Sequence, residues 1–174
     1  MSEWHIRLAR EADAEFLPEI ERAAAVLFKN DPDCAKIDME DVWTEAEHRS
    51  LIAKGHCLVA ETVDRIVGFL AAQPFGRELH IWEMDVHPEL QGQGVGSILL
   101  RASLVDAENS GFRAATLTTF RDLPWNGPFY QRCGFVEVED LEAHPRLRRE
   151  LEEEVAAGLP RGRRIAMIRF LGGE

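Results

Sequence analysis

A chain of 174 residues, 45% of them hydrophobic and with a net charge of −11, has room for one domain of ordinary size. Folding at this length hides about 70% of the extended surface, so a core forms without disulfide or metal staples and general disorder is excluded. The acidic balance repels polyanions, which excludes a general nucleic-acid binder.

The pattern predicts a short strand over His5 to Leu8. A helix follows in which Phe16, Leu17, Ile20, Ala23, Ala24 and Leu27 recur at helical spacing, ending near Asn30. Asp31-Pro32-Asp33 is a turn, and a second helix is expected from about Met39 to Ala53, stopped by Gly55. Cys57 to Glu61 and Ile66 to Gln73 flank Val63-Asp64-Arg65 and read as a hairpin. Glu78 to Val86 is a third extended segment, closed by Pro88. From Val95 a helix runs through Ile98, Leu99, Ala102, Leu104 and Val105 to about Asn109, before Gly111.

Ala114 to Phe120 is the next strand, and the intervening helix makes it the parallel neighbour of the preceding one. Turn residues Asp122 to Pro128 lead into a short helix around Phe129 to Cys133, ended by Gly134, with a strand near Phe135 to Val138. Leu147 to Ala157 is a charged helix, read with Arg146, Arg148 and Arg149 as an exposed, salt-bridged element. Arg163 to Phe170 closes the sheet. There is no internal repeat or linker, so residues 1–174 are expected to form a single mixed α/β domain.

Residues 1–143 carry −13 and residues 144–174 carry +2, so a site in the first part favours a cationic small molecule. Cys34, Cys57 and Cys133 are odd in number and lack metal-ligand spacing, which points to a reducing, cytoplasmic setting and no metal. On a regular strand His80 and His87 point to opposite faces, a second argument against a metal. No apolar run spans a membrane and the first residues do not form a signal peptide.

The most informative stretch is Val86-His87-Pro88-Glu89-Leu90-Gln91-Gly92-Gln93-Gly94-Val95-Gly96. A strand end passes through three alternating glycines into a helix, a geometry whose exposed N–H groups and helix-start charge suit a phosphate or pyrophosphate. No Gly-Lys-[Ser/Thr] ending is present, which removes P-loop chemistry. A dinucleotide fingerprint would need a third glycine where Ser97 stands.

Gln91-x-x-Gly94-x-Gly96, after a strand ending Met84-Asp85-Val86-His87-Pro88, resembles the acyl-CoA-binding motif of the GNAT superfamily of N-acyltransferases. Downstream, Asn126 and Phe129-Tyr130-Gln131-Arg132-Cys133-Gly134-Phe135 resemble that family's second motif. The resemblance spans roughly residues 4–170. It implies the GNAT-like fold, with a twisted, mostly antiparallel sheet of six or seven strands and a parallel mid-chain β-α-β unit. It also implies acetyl-CoA as co-substrate, bound by the backbone of Gln91, Gly92, Gln93, Gly94, Val95 and Gly96 at the pyrophosphate. Met84, Asp85 and Val86 would pair with the pantetheine, and Asn126 matches a frequent cofactor-side residue.

A thioester reacting with an amine needs a deprotonated nucleophile, a stabilised oxyanion and a protonated leaving thiolate. Glu83, on the cofactor strand, is the expected base, acting directly or through water, with Asp85 and His87 behind it. Strand alternation puts all three on one face unless a bulge intervenes. Tyr130, the one tyrosine of the chain, stands where the family places the general acid. Trp43, Trp82 and Trp125 are candidate walls for the acceptor, and Thr116 to Asp122 the strand facing it.

The expected activity is direct acetyl transfer from acetyl-CoA to a primary amine, with a small cationic acceptor favoured. A peptide or protein amine acetyltransferase and a non-catalytic acyl-CoA-binding sensor remain as alternatives. A homodimer is compatible with the sequence, and no nucleic-acid or membrane partner is expected.

Overall fold

Seven strands pair into one sheet: β1 (Trp4–Leu8), β2 (Leu58–Thr62), β3 (Ile66–Phe75), β4 (Glu78–Val86), β5 (Ala114–Phe120), β6 (Val136–Glu137) and β7 (Arg164–Phe170). The computed structural model describes residues 3–38 and 40–172. Spatial order is β1-β2-β3-β4-β5-β7-β6, with every pair antiparallel except β4 and β5. The helices are α1 (Leu17–Ala24), α2 (Glu45–Ile52), α3 (Val95–Asn109), α4 (Gly127–Arg132) and α5 (Pro145–Ala156).

Period-two alternation feeds a core on each face. On one face Leu58, Leu70, Leu79, Ile81 and Leu117 pack against Leu99, Leu100 and Leu104 of α3. On the other, Val59, Phe69 and Ala71 meet Leu17 and Ile20 of α1 and Leu51 of α2, while Ala114, Ala166 and Ile168 receive Leu147 of α5. Phe69 and Leu70, adjacent in sequence, are both fully buried on opposite faces, and each such side chain contributes roughly 1.5–3 kcal/mol of transfer free energy.

Two helix expectations change. The first helix is α1 only between Leu17 and Ala24, with 3-10 turns at Glu11–Phe16 and Ala25–Phe28. The second begins at Glu45 instead of near Met39, a position outside the described residues. Thr44 Oγ1 accepts from Glu47 N at 3.2 Å while Glu47 accepts from Thr44 N at 2.7 Å, a reciprocal cap that sets the helix start. The charged helix also differs. Arg148 faces outward to Glu142 and Glu152, but Arg146 turns inward to Glu78 (2.8 Å), Thr116 (2.9 Å) and Glu150 (3.0 Å) and lies over the Phe75 ring. That network pins α5 to β4 and β5.

Two irregularities interrupt the pairing of β4. Ala71 pairs with Glu83 and Ala72 with Ile81, so Trp82 is an extra residue, a bulge. Leu79 and Ile81 therefore share the α3 face with Met84 and Val86, whereas Glu83 and Asp85, opposite Ala71 and Phe69, share the α1–α2 face. The same shift corrects the parity argument for the histidines, since His80, opposite Gln73, now lies on the face of Glu83, Asp85 and His87. Furthermore, the parallel ladder between β4 and β5 ends at Ile81 with Leu117. Beyond it the two strands run on unpaired and a gap opens.

Candidate active site

The gap exposes one edge of β4. His87 N donates to Val67 O at 2.7 Å, and antiparallel alternation from that bond turns the backbone groups of Asp85 and Glu83 toward β3 and those of Met84 and Val86 toward the gap. Of the three residues expected to meet the cofactor through the backbone, Asp85 thus has its groups committed to β3. Val86 O in the gap accepts from the Gln91 side-chain amide at 3.2 Å.

At the mouth of the gap the glycine loop enters α3. Gly92 and Gly94 adopt φ of +76° and +83°, and Gly94 is the residue preceding the helix. Apart from its chain neighbours, an added Cβ at Gly94 would meet nothing within 4 Å, so the positive φ and not packing is what calls for glycine there. The first intrahelical bond there is Ile98 N to Gly94 O at 3.1 Å, which leaves the N–H groups of Val95, Gly96 and Ser97 unused by the helix. No acidic residue occupies the first turn of α3, so the positive end of the helix dipole is uncompensated. Backbone amides of this kind hold a pyrophosphate without any lysine.

Carboxyl groups converge on the α1–α2 face of the gap. Glu83 is pushed up to about 7, chiefly by burial and then by the charge of Glu21 on α1. Asp85 is raised well above the ordinary carboxyl range by burial, then by Glu83 and Glu21. Glu21 accepts from Trp43 N at 3.2 Å and lies 3.6 Å from the buried ring of His48. Trp43 and Trp82 pack with centroids 5.7 Å apart, giving this side an aromatic wall. Arg164 of β7 is the nearby cation: it binds Glu154 of α5 at 3.0 and 3.1 Å and Thr118 at 3.1 Å, and its guanidinium lies over Phe120.

Tyr130 reaches the same place from the other face. It belongs to the α3-side core, packed edge-on to Phe129 and Phe135, and its hydroxyl is held protonated far above its usual range by burial and the charges of Glu83 and Asp85. The expected acid thus feels the charge of the expected base although the two residues belong to opposite faces of the sheet.

A family model described as an acetyltransferase (GNAT) domain matches residues 53–137, which carry the gap strands, the glycine loop and α4. Residues 53–137 are those of a GNAT acetyltransferase domain. A mycothiol acetyltransferase from Jonesia denitrificans is 31% identical over 103 residues, 58% of this chain and 31% of that protein. One from Renibacterium salmoninarum is 25% identical over 143 residues, 75% of this chain. The chain spans 31% and 42% of the lengths of these two relatives. Among solved structures, the PaiA N-acetyltransferase from Thermoplasma acidophilum in complex with coenzyme A superposes with a TM-score of 0.74 at 14% identity, over 97% of this chain and 99% of that one. A GNAT acetyltransferase from Brucella melitensis in complex with acetyl-CoA gives 0.60 at 25% identity, over 78% and 84% of the chains.

Within this GNAT domain the remaining expected residues have definable jobs. Asn126 Oδ1 accepts from Phe120 N at 3.4 Å and its carbonyl accepts from Tyr130 N at 3.0 Å, so it ties α4 to the end of β5. Gly127 follows because a Cβ there would lie 2.7 Å from Arg121 O and 2.9 Å from Phe120 O. Gly127→Ala is expected to displace α4 and with it Tyr130, lowering the melting temperature by several degrees and turnover together; a crystal structure with Tyr130 unmoved would contradict this.

Trp125 does not join Trp43 and Trp82. It packs on Phe28 and, with Val26, Leu27, Asn30, Asp31, Pro88, Gln91 and Leu123, lines a cavity of about 490 Å³ beside the glycine loop. Arg163 braces that wall, holding Asp31 through two bonds of 2.8 Å and Asp122 at 3.1 Å. Sequence reasoning missed Glu21, Glu154 and Arg164, all outside residues 53–137. A signal existed for two of them: Glu21 sits on the buried stripe Leu17, Ile20, Ala24, and Glu154 extends the stripe Leu147, Glu150.

Proposed function

We propose that this protein moves the acetyl group of acetyl-CoA directly to a primary amine, with a small cationic acceptor. The observation that carries this reading is the convergence of Glu83 and Tyr130 on the unpaired β4–β5 gap, beside a glycine loop shaped for pyrophosphate. Acetyl-CoA would run from that loop along the gap edge, where Met84 and Val86 present backbone groups to the pantetheine. Coenzyme A and acetyl-CoA in the structural neighbours support the choice of co-substrate.

A cationic amine suits the acceptor side because Glu21, Glu83 and Asp85 form an acidic, aromatic-walled surface there. In the proposed reaction Glu83 takes one proton from the ammonium, directly or through water. The neutral amine then forms a C–N bond to the thioester carbon as the C–S bond breaks; Tyr130 gives its proton to the departing thiolate, and the second proton of the nitrogen, released as the amide forms, restores the Tyr130 hydroxyl. A backbone N–H of the gap edge is the donor for the oxyanion.

The test is thiol release from acetyl-CoA with a panel of small amines, diamines and peptide N-termini. Release with a small cationic amine is expected. Because Glu83 works unprotonated, kcat/KM should be full at high pH and fall as pH drops through about 7, and this limb should vanish in Glu83→Gln. Tight coenzyme A binding with no thiol release across the panel would favour the non-catalytic sensor, and turnover of peptides alone would replace the acceptor class.

A further inference from the structure

Glu83 and Asp85 are two residues apart on one strand and on the same face, so their carboxyl groups are close neighbours, and the charge of Glu83 raises the proton affinity of Asp85. Two ionised carboxylates repel at that range, so a hydrogen bond between them requires a proton. Among the described residues neither carboxyl forms a salt bridge of 4.0 Å or less with a basic side chain, and Asp85 Oδ2 is buried with no hydrogen-bond donor. The groups facing the pair add negative charge: Glu21 from α1, and Glu154 from α5 beyond it. Arg164 of β7 is largely committed to Glu154, Tyr130 of α4 is neutral, and His48 of α2 is turned to Glu21.

We propose that Asp85 is a positioning residue that carries a proton at neutral pH and donates it as a hydrogen bond to the Glu83 carboxylate. The assignment to Asp85 over Glu83 follows from placement, since Asp85 Oδ2 is the oxygen of the pair that is buried without a partner, and Arg164 offsets some of the charge at Glu83. Its role rests on the acetyl-transfer reading: the neutral carboxyl would hold Glu83 ionised and fixed in orientation, with no second charge competing for the amine's proton. No net proton is consumed by Asp85 in the cycle. Glu83 gains one from the ammonium and returns it to solvent, and Asp85 keeps its own.

The experiment is difference infrared spectroscopy of the whole protein at neutral pH, wild type against Asp85→Asn, alongside kinetics of Asp85→Asn and Asp85→Ala. The wild type should show the carbonyl band of a protonated carboxylic acid that Asp85→Asn removes. Asparagine keeps an N–H donor in the same place, so Asp85→Asn should stay within a few-fold of wild-type kcat and keep the acid limb, while Asp85→Ala should lose roughly 10- to 100-fold in kcat. Absence of the band, or its persistence in Asp85→Asn, overturns the protonated state. Asparagine and alanine variants falling equally far, with both still folded by thermal melting, overturns the positioning role. The spectrum needs no turnover, so failure of the acetyl-transfer reading would leave it decisive.

Discussion

Tyr130→Phe is expected to lower kcat by roughly 10²- to 10⁴-fold with little change in the affinity for coenzyme A. The substitution removes one oxygen from a ring already packed between Phe129 and Phe135, so the core keeps its volume and the loss is chemical. A tyrosine hydroxyl is ordinarily a weaker acid than a thiol, and here burial and the charge of Glu83 weaken it further. The reaction relieves part of that handicap. Once Glu83 has taken the amine's proton its charge is gone, and Tyr130 becomes a better acid just as the thiolate departs. Activated thioesters whose thiol leaves without protonation should therefore be less sensitive to the substitution than acetyl-CoA. Equal turnover of acetyl-CoA by wild type and Tyr130→Phe would remove Tyr130 from the mechanism.

Gly94→Val should reduce coenzyme A affinity by about 100-fold or more, measured by calorimetry. The backbone at Gly94 has φ of +83°, a conformation in which a β-branched residue is strained by roughly 1–3 kcal/mol. Apart from its chain neighbours nothing lies within 4 Å of an added Cβ, so the fold tolerates the volume while the side chain obstructs the close approach proposed for the pyrophosphate. Gly94→Ala, with the smaller side chain, separates the two effects by showing the φ penalty with less of the obstruction. Unaltered affinity in the valine variant would place the pyrophosphate elsewhere.

Much of the fold was legible because it is written in local chemistry. Alternation marked the strands, helical spacing marked α1, α3 and α5, and the order strand, glycine loop, helix, strand implied the parallel pair. The late start of α2 was also readable, in Thr44 and Glu47, but the apolar spacing around them obscured the cap. Arg146 was read as an exposed partner of the acidic run that begins at Glu150. It does bind Glu150, but its other partners Glu78 and Thr116 come from β4 and β5 and turn it inward.

The sequence by itself carried the resemblance to the GNAT superfamily, which implied acetyl-CoA and the role of Tyr130, while the glycine spacing pointed to a phosphate-bearing ligand and the cofactor strand offered Glu83 as a candidate base. The tertiary structure decided how they combine. An inserted residue at Trp82 rotates Glu83 and Asp85 away from the α3 core, and the loss of pairing after Ile81 opens a gap beside them. It alone brought Glu21, Arg164 and Glu154 close to Glu83 from helices and a strand far away in the chain. A bulge moves one side chain relative to its neighbours without changing the hydrophobic pattern enough to be seen, and a pKa depends on charges that are close in space, not in sequence.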